Sequence, residues 1–353
     1  MSHNCFPRRR FIGITAAAAG MALLPLPFGA AGARERAPQL RVWRGVALGA
    51  DAMLQIHHAD ARVADRLIER SIAEVHRLER VFSLYRQDSA ISTLNRQGFL
   101  AYPPTDLVQL LARSEHFSRL TDGAFDPTVQ PLWQLYAAHF GRPHPDPRGP
   151  SDHARHASLA LVGYAGVQLD TSSICFRRVG MGLTLNGIAQ GYITDRVAEL
   201  LLDSGIGQAL VDMGEVRALG ARPGGGPWEV GLEDPTSSSR IALTLPVRNV
   251  AVATSGGYGT RFDLAGRFNH IFDPASGLTS NRYLSVSVVA PRATDADALS
   301  TAFSVMPLER TQPIVRQLGI TAYFTLPDRS LVRQSFDSHE PPGRFSTSAP
   351  RGV

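Results

Sequence analysis

Between Ala61 and Phe82, the residues Val63, Leu67, Ile68, Ile72, Val75, Leu78 and Val81 recur at helical spacing, with arginines and glutamates between them. That pattern predicts one long amphipathic helix with a single buried face. Before it, Leu40 to Ile56 alternates loosely and predicts a hairpin. A second helix is expected over 105–120. Thr105 has a hydroxyl suited to capping, Asp106 puts a negative charge in the first turn, and Gly123 stands just past the end. A third is expected over 186–204, entered through Gly187 and closed by Gly205. Short apolar runs then predict strands at 209–213, 228–232, 241–247, 250–254 and 283–289, helices near 295–305 and 308–318, and a last strand at 321–326. Strands mix with helices without regular βαβ alternation, so the expected fold class is α+β, a mixed or antiparallel sheet with flanking helices.

The two ends read differently from the middle. Arg8, Arg9 and Arg10 precede an apolar run from Ile14 to Leu26, too short to span a bilayer as a permanent helix. The segment reads as a twin-arginine signal, and Ala31-Gly32-Ala33 offers the small residues that a signal peptidase prefers. Cys5 lies upstream of the apolar run, so the cleavage point has no lipid-anchoring cysteine. The expected plan is a signal peptide over 1–33, one domain over 34–336, and a disordered tail over 337–353, rich in Pro, Ser and Arg. Such a chain would be exported folded to the periplasm, with no membrane span after cleavage, a route that suits a protein built around a ligand. The segment 141–151, with Pro143, Pro145, Pro147 and Pro150, predicts a loop or lid within the domain.

Charge and cysteine content narrow the function. The formal net charge is +5, and residues 1–33 carry three arginines and no carboxylate, which leaves +2 on the remainder. The basic residues are all arginine and well scattered, which argues against a nucleic-acid stripe. Only Cys175 stays after cleavage, so neither an internal disulfide nor a zinc cluster is available.

The stretch from Ala253 to Thr301 carries the densest candidate chemistry: Thr254-Ser255-Gly256-Gly257-Tyr258, then Asn269-His270-Ile271, then Asp295 to Thr301. Hydroxyls, an imidazole and carboxylates are costly in a plain core, which suggests a binding site. Asp297 and Thr301 are four apart on an expected helix and share one face. Together they offer hard oxygen ligands to Mg²⁺; the same spacing also fits a capping aspartate and an exposed threonine. Gly187-Ile188-Ala189-Gln190-Gly191-Tyr192 permits close backbone approach of a ligand to a helix start, or is only a tight turn. Tyr85 and Phe125 follow the first two long helices beside polar residues. Each can stack on a flat ring or serve the core.

Taken in order, five segments resemble the ApbE family of FAD:protein FMN transferases, formerly described as thiamine-biosynthesis lipoproteins, from about residue 48 to about 326. They are Phe82-Ser83-Leu84-Tyr85 with Ser89 and Leu94-Asn95; Gly123-Ala124-Phe125-Asp126 with Thr128; Gly187 to Tyr192; Thr254-Ser255-Gly256 with His270-Ile271, Asp273-Pro274 and Gly277; and Ala296-Asp297-Ala298 with Thr301. The resemblance implies a two-lobed, ApbE-like (T-fold-related) domain with FAD in a cleft between the lobes. Tyr85 would lie against the flavin, Ala124, Phe125 and Asp126 would line the dinucleotide, and Leu48, Thr184, Gln190 and Ile271 would stand at further cofactor positions. Gly187 would lend its carbonyl to Mg²⁺, with Asp297 and Thr301 supplying side-chain oxygens and His270 near the phosphates. Such enzymes move FMN from FAD to a serine or threonine hydroxyl of a partner protein and release AMP. Here the partner is expected to be a membrane-attached redox protein, with His270 or Asp297 accepting the hydroxyl proton. For His270 a structural role in the turn before Asp273-Pro274 is the other reading.

Four positions depart from the family pattern. Thr184 stands where aspartate is usual, Asn186 where glycine is, Gln190 where lysine is common, and Leu48 where methionine is common. Gln190 keeps hydrogen-bonding capacity but brings no charge. The departures, with the export signal, are read as marking an exported subgroup linked to nitrous oxide reductase maturation. The competing functions are a Mg-dependent FAD pyrophosphatase, with water in place of the acceptor hydroxyl, and a non-catalytic flavin-binding assembly factor. A serine hydrolase is disfavoured because Thr254-Ser255-Gly256 lacks the Gly-x-Ser-x-Gly elbow.

Overall fold

The computed structural model describes residues 39–336 and 343–345. The expected signal peptide and most of the expected tail lie outside the described residues; within the tail, Gly343–Phe345 is a strand.

The N-terminal hairpin pairs β1 (Gln39–Ala47) with β2 (Ala50–His58) through a two-residue turn. Leu48 and Gly49 both have positive φ, 47° and 82°, as a tight hairpin turn requires. A leucine there is strained by about 1 to 2 kcal/mol, and its N–H donates to Glu79 Oε1 at 2.9 Å. Helix α1 (Ala61–Phe82) follows at the bounds its periodicity predicts, with Asp60 as N-cap.

The next elements form a second lobe: α2 (Ala90–Gln97), β3 (Phe99–Ala101), α3 (Thr105–Leu120), α4 (Gln130–Phe140), α5 (Asp152–Leu159), β4 (Val167–Leu169) and β5 (Ser173–Phe176). The short sheet runs β3-β5-β4. Helix α3 has its predicted bounds, but Thr105 does not cap it. The cap residue is Pro104, without a side-chain bond, and Thr105 is already helical. The segment 141–151 is irregular as expected, and Arg267 Nη2 donates to the Pro147 carbonyl at 2.5 Å.

The chain then returns through α6 (Ala189–Asp203), β6 (Ala209–Asp212), β7 (Val216–Leu219), the hairpin β8 (Trp228–Asp234) and β9 (Ser237–Val247), β10 (Ala251–Ser255), β11 (Ser285–Ala290), α7 (Ala293–Phe303), α8 (Leu308–Leu318), β12 (Thr321–Thr325) and β13 (Leu331–Ser335), with Gly343–Phe345 as β14. Among the described residues the main sheet has nine strands in the order β1-β2-β6-β7-β10-β11-β12-β13-β14, and every neighbouring pair is antiparallel. The architecture is the two-lobed α+β fold.

Alternation along the strands sends one set of side chains to the helices and the other to the β8–β9 hairpin. Leu54, Ile56, Val211, Val286 and Val288 meet Ile193, Val197, Leu299 and Phe303 in the main core. Met53, Leu210, Val216 and Val252 pack under Trp228, Val230 and Leu245. Each fully buried side chain of this size is worth about 1.5 to 3 kcal/mol, so α6 and α7 are held firmly on the sheet. A separate aromatic cluster, Tyr136 with Phe262, Phe268 and Phe272, joins α4 to the 260–280 loops. Among the described residues no helix is long and apolar enough to cross a membrane.

Candidate active site

The turn Asn186–Ile188 precedes α6, and α7 lies beside it in the main core. Gly191 makes the approach possible: a Cβ there would stand 2.3 Å from the Ala293 carbonyl oxygen and 2.8 Å from Asp297 Cβ. Asp297, 3% exposed, accepts the Gly191 N–H on Oδ2 at 3.0 Å. One turn further along α7, Thr301 Oγ1 lies 3.5 Å from the Gly187 carbonyl oxygen. Ser255, at the end of β10, bonds Ser300 Oγ at 2.7 Å and Thr301 Oγ1 at 3.2 Å. Carboxylate, hydroxyl and carbonyl oxygens thus converge from parts of the chain more than a hundred residues apart.

Gly187, Ser255, Asp297 and Thr301 form one wall of a cleft of about 920 Å³, counting space open to solvent. Ala124, Phe125, Asp126, Thr184, Gly187, Gln190, His270, Ile271, Asp297 and Thr301 all line it. Leu48 and Tyr85 do not: Leu48 occupies the β1–β2 turn, and Tyr85 is 73% exposed. The lining also includes Tyr258, from the candidate stretch, and Trp133 and Glu215, which were not among the candidates. Glu215 had a signal: with Asp212 and Arg217 it is one of three charged residues in the otherwise apolar run from Ala209 to Leu219. Its Oε2 accepts the Thr254 N–H at 3.2 Å.

Local bonds fix the remaining lining residues. Asp126 Oδ1 accepts from Thr128 N at 2.8 Å and Thr128 Oγ1 at 2.5 Å, and Oδ2 from Tyr164 N at 2.9 Å. Burial nonetheless raises its pKa. The carboxylate is committed to shaping its own loop. Burial also raises the Tyr258 hydroxyl, helped by the charges of Glu233 and Glu215. His270 Nδ1 faces the Thr260 carbonyl at 3.2 Å. A carbonyl only accepts, so Nδ1 carries the hydrogen and the neutral ring has its lone pair on Nε2. Gln190 is 2% exposed, and its Nε2 has no hydrogen-bond partner.

Charge decides what the cleft suits. Among its lining residues Asp126, Glu215 and Asp297 are acidic, His270 is the basic group, and no arginine contributes. A diphosphate entering alone would meet carboxylates without compensating charge. The Asp297, Thr301 and Gly187 oxygens are a hard donor set fit for Mg²⁺. A Cβ at Gly187 would lie 2.7 Å from Thr301 Oγ1, so glycine keeps that donor set open. Among the described residues no group of three or more His, Cys, Asp or Glu is placed to hold a metal, so such a cation would rely on mixed donors.

The chain belongs to the ApbE family, whose profile matches residues 48–324. The FAD:protein FMN transferase of Treponema pallidum is 35% identical over 290 residues, 74% of this chain and 80% of that protein. The ApbE protein of Thermotoga maritima superposes with a TM-score of 0.73 at 29% identity, over 84% of this chain and 97% of that one. The flavin transferase ApbE from Vibrio cholerae superposes with a TM-score of 0.72 at 25% identity, over 85% and 98%.

Proposed function

We propose that this chain transfers FMN from FAD to a serine or threonine hydroxyl of a partner protein. The observation that carries the reading is the meeting of the Gly187 carbonyl, Asp297 and Thr301 in a cleft otherwise poor in positive charge. The names of its relatives support it. In the reaction the acceptor oxygen forms a bond to the FMN-side phosphorus as the bond from that phosphorus to the AMP oxygen breaks. The hydroxyl proton is lost and AMP leaves. A bound Mg²⁺ would supply charge neutralisation for the diphosphate. Asp297, Thr301 and Gly187 would hold it, and the Gly191 N–H orients the Asp297 carboxylate. His270 Nε2 is the base that takes the acceptor proton, its ring set by the Thr260 carbonyl. The fixed wall positions both reactants, which supplies much of the rate. Thr184, Gln190, Ile271 and Ala124 to Asp126, which line the cleft, would contact FAD, and Leu48 and Tyr85 stand outside that lining.

The twin-arginine segment supports a periplasmic site of action, and the proposed acceptor is a membrane-attached redox protein reachable from that side. Cell fractionation checks the first point, and recovery in the cytoplasm rejects it. For the reaction, protein incubated with FAD, Mg²⁺ and an acceptor peptide is expected to give a covalent FMN–peptide adduct and AMP by mass spectrometry. Unchanged peptide with free FMN and AMP would instead identify a pyrophosphatase. Unchanged peptide with intact bound FAD would identify a flavin-binding assembly factor.

A further inference from the structure

Asp195, on α6, is fully buried and does not line the cleft, yet its carboxylate is saturated with partners from β7 and from the start of α7. It accepts from Ala293 N and Thr294 N, both at 2.9 Å, and from Thr294 Oγ1 at 2.6 Å. Arg217 Nη1 on β7 reaches it at 2.5 Å, and Arg292 Nε stands at 3.5 Å. Ala293 and Thr294 open α7, and the residue before them, Arg292, makes no side-chain cap bond. The first N–H groups of α7 are therefore capped by a carboxylate from the neighbouring helix, where the helix dipole also favours negative charge.

The contacts between the two segments repeat with a period of one helical turn. Asp195 meets Ala293, Gly191 meets Asp297, and Gly187 meets Thr301. Each step moves four residues back on the first segment and four forward on α7, so the two run antiparallel with a fixed register. The Gly191 contact keeps them too close to slide freely. A shift of a single residue is about 1.5 Å of axial travel, enough to part the Gly187 carbonyl from Thr301 and to pull Asp297 from the Gly191 N–H. The first rung is anchored by buried charge, while the other two carry the oxygen donors.

We infer that Asp195 is a positioning residue that sets the register of α7 against α6 and so holds the Gly187, Asp297 and Thr301 oxygens in cation-binding geometry. The inference rests on the proposed divalent site. It assigns to Asp195 a task that neither burial nor stability alone would require: removing its charge should loosen the cation before it unfolds the protein. Groups that orient metal ligands from behind characteristically change affinity by about 10- to 100-fold when replaced.

The test measures Mn²⁺ affinity by the loss of the free-ion electron paramagnetic resonance signal, at a temperature well below unfolding. In Asp195→Asn an amide replaces the carboxylate that the α7 N–H groups need, and the Mn²⁺ Kd is expected to rise by about 10-fold or more. Thr294→Val removes a single contact and keeps the Asp195 charge, so a rise of a few-fold is expected; this variant preserves the test where Asp195→Asn fails to fold. Both are expected to bind FAD without metal as the unaltered protein does, read by flavin fluorescence. Mn²⁺ affinity within twofold of the unaltered protein in both variants, with only the melting temperature lowered, would overturn the assignment of Asp195. If the unaltered protein bound no Mn²⁺ at all, the divalent site itself would fall, and Asp195 with it.

Discussion

The wall of the cleft made by Gly187, Gln190, Asp297 and Thr301 is polar and set on α6, the turn before it and α7, packed into the main core, whereas the wall made by Val129, Trp133 and Phe272 is apolar and belongs to an aromatic cluster between α4 and the 260–280 loops. Donors that must meet a charged group gain from being immobile, because a misplaced oxygen loses its interaction while its desolvation cost stays. The antiparallel contacts of Asp195, Gly191 and Gly187 with α7 supply that immobility. A flat ring needs area and shape more than fixed direction, and Trp133 and Phe272, backed by Phe262 and Tyr136, provide it with softer geometry. The difference divides the work: the polar wall is suited to phosphates and a cation, and the apolar wall to the rest of the dinucleotide.

Removing the central donor should break the polar wall alone. Asp297→Ala is expected to lower the rate of adduct formation by about 100- to 1000-fold. FAD affinity measured without metal should change by less than about threefold. Equal losses in both would mean that the walls are not separable.

A second, smaller effect tests how the polar wall is backed. Asp212, at the end of β6, is buried and accepts the Gly214 N–H at 3.1 Å; Gly214 in turn packs against Gln190. Burial, with some repulsion from Asp51, pushes its pKa up to about 7. A folded-state pKa above the unfolded value means that the native state binds the extra proton. Stability from this group is therefore fully present below about pH 4 and is lost as pH rises through about 7. Asp212→Asn keeps the acceptor for Gly214 and cannot ionise. Its melting temperature relative to the unaltered protein is expected to climb between pH 4 and pH 8, by an amount on the order of 3 kcal/mol in stability. A difference between the two proteins that stays flat across that range would show that Asp212 ionises normally.

The sequence shows the polar wall more readily than the apolar one. Helices α1 and α8 could be placed at their bounds because each has a single apolar stripe, and α3 because Asp106 and Gly123 mark its ends. Helix α4 has no such stripe: Trp133, Leu135 and Phe140 surround the buried Leu132 and Tyr136, and the helix sits among aromatics from distant loops. Helix α5 buries no residue, and β7 is four residues long with an arginine within it. In the site, Gly187, Asp297 and Thr301 were legible through spaced motifs that carry their own chemistry. Asp195 was not, because it reads as an ordinary polar position on a helix, and its partners lie 98 and 99 residues away. Trp133 was hidden for the same reason as the helix that carries it.

The apolar wall offers the mildest perturbations. Trp133 is partly buried and meets Phe262 edge to face at 6.0 Å. Trp133→Leu keeps apolar bulk but removes the ring system, and FAD binding is expected to weaken by about 10-fold. Mn²⁺ affinity should stay within twofold, the reverse of the Asp297→Ala pattern. Tyr85 gives the smallest and cleanest case. At 73% exposure its ring contributes little to the fold, so Tyr85→Ala should leave the melting temperature within about 2 °C. If the ring closes over the flavin, FAD affinity by fluorescence titration falls by a few-fold even though nothing in the protein has moved. Unchanged FAD affinity would confine flavin recognition to the two cleft walls and remove Tyr85 from the site.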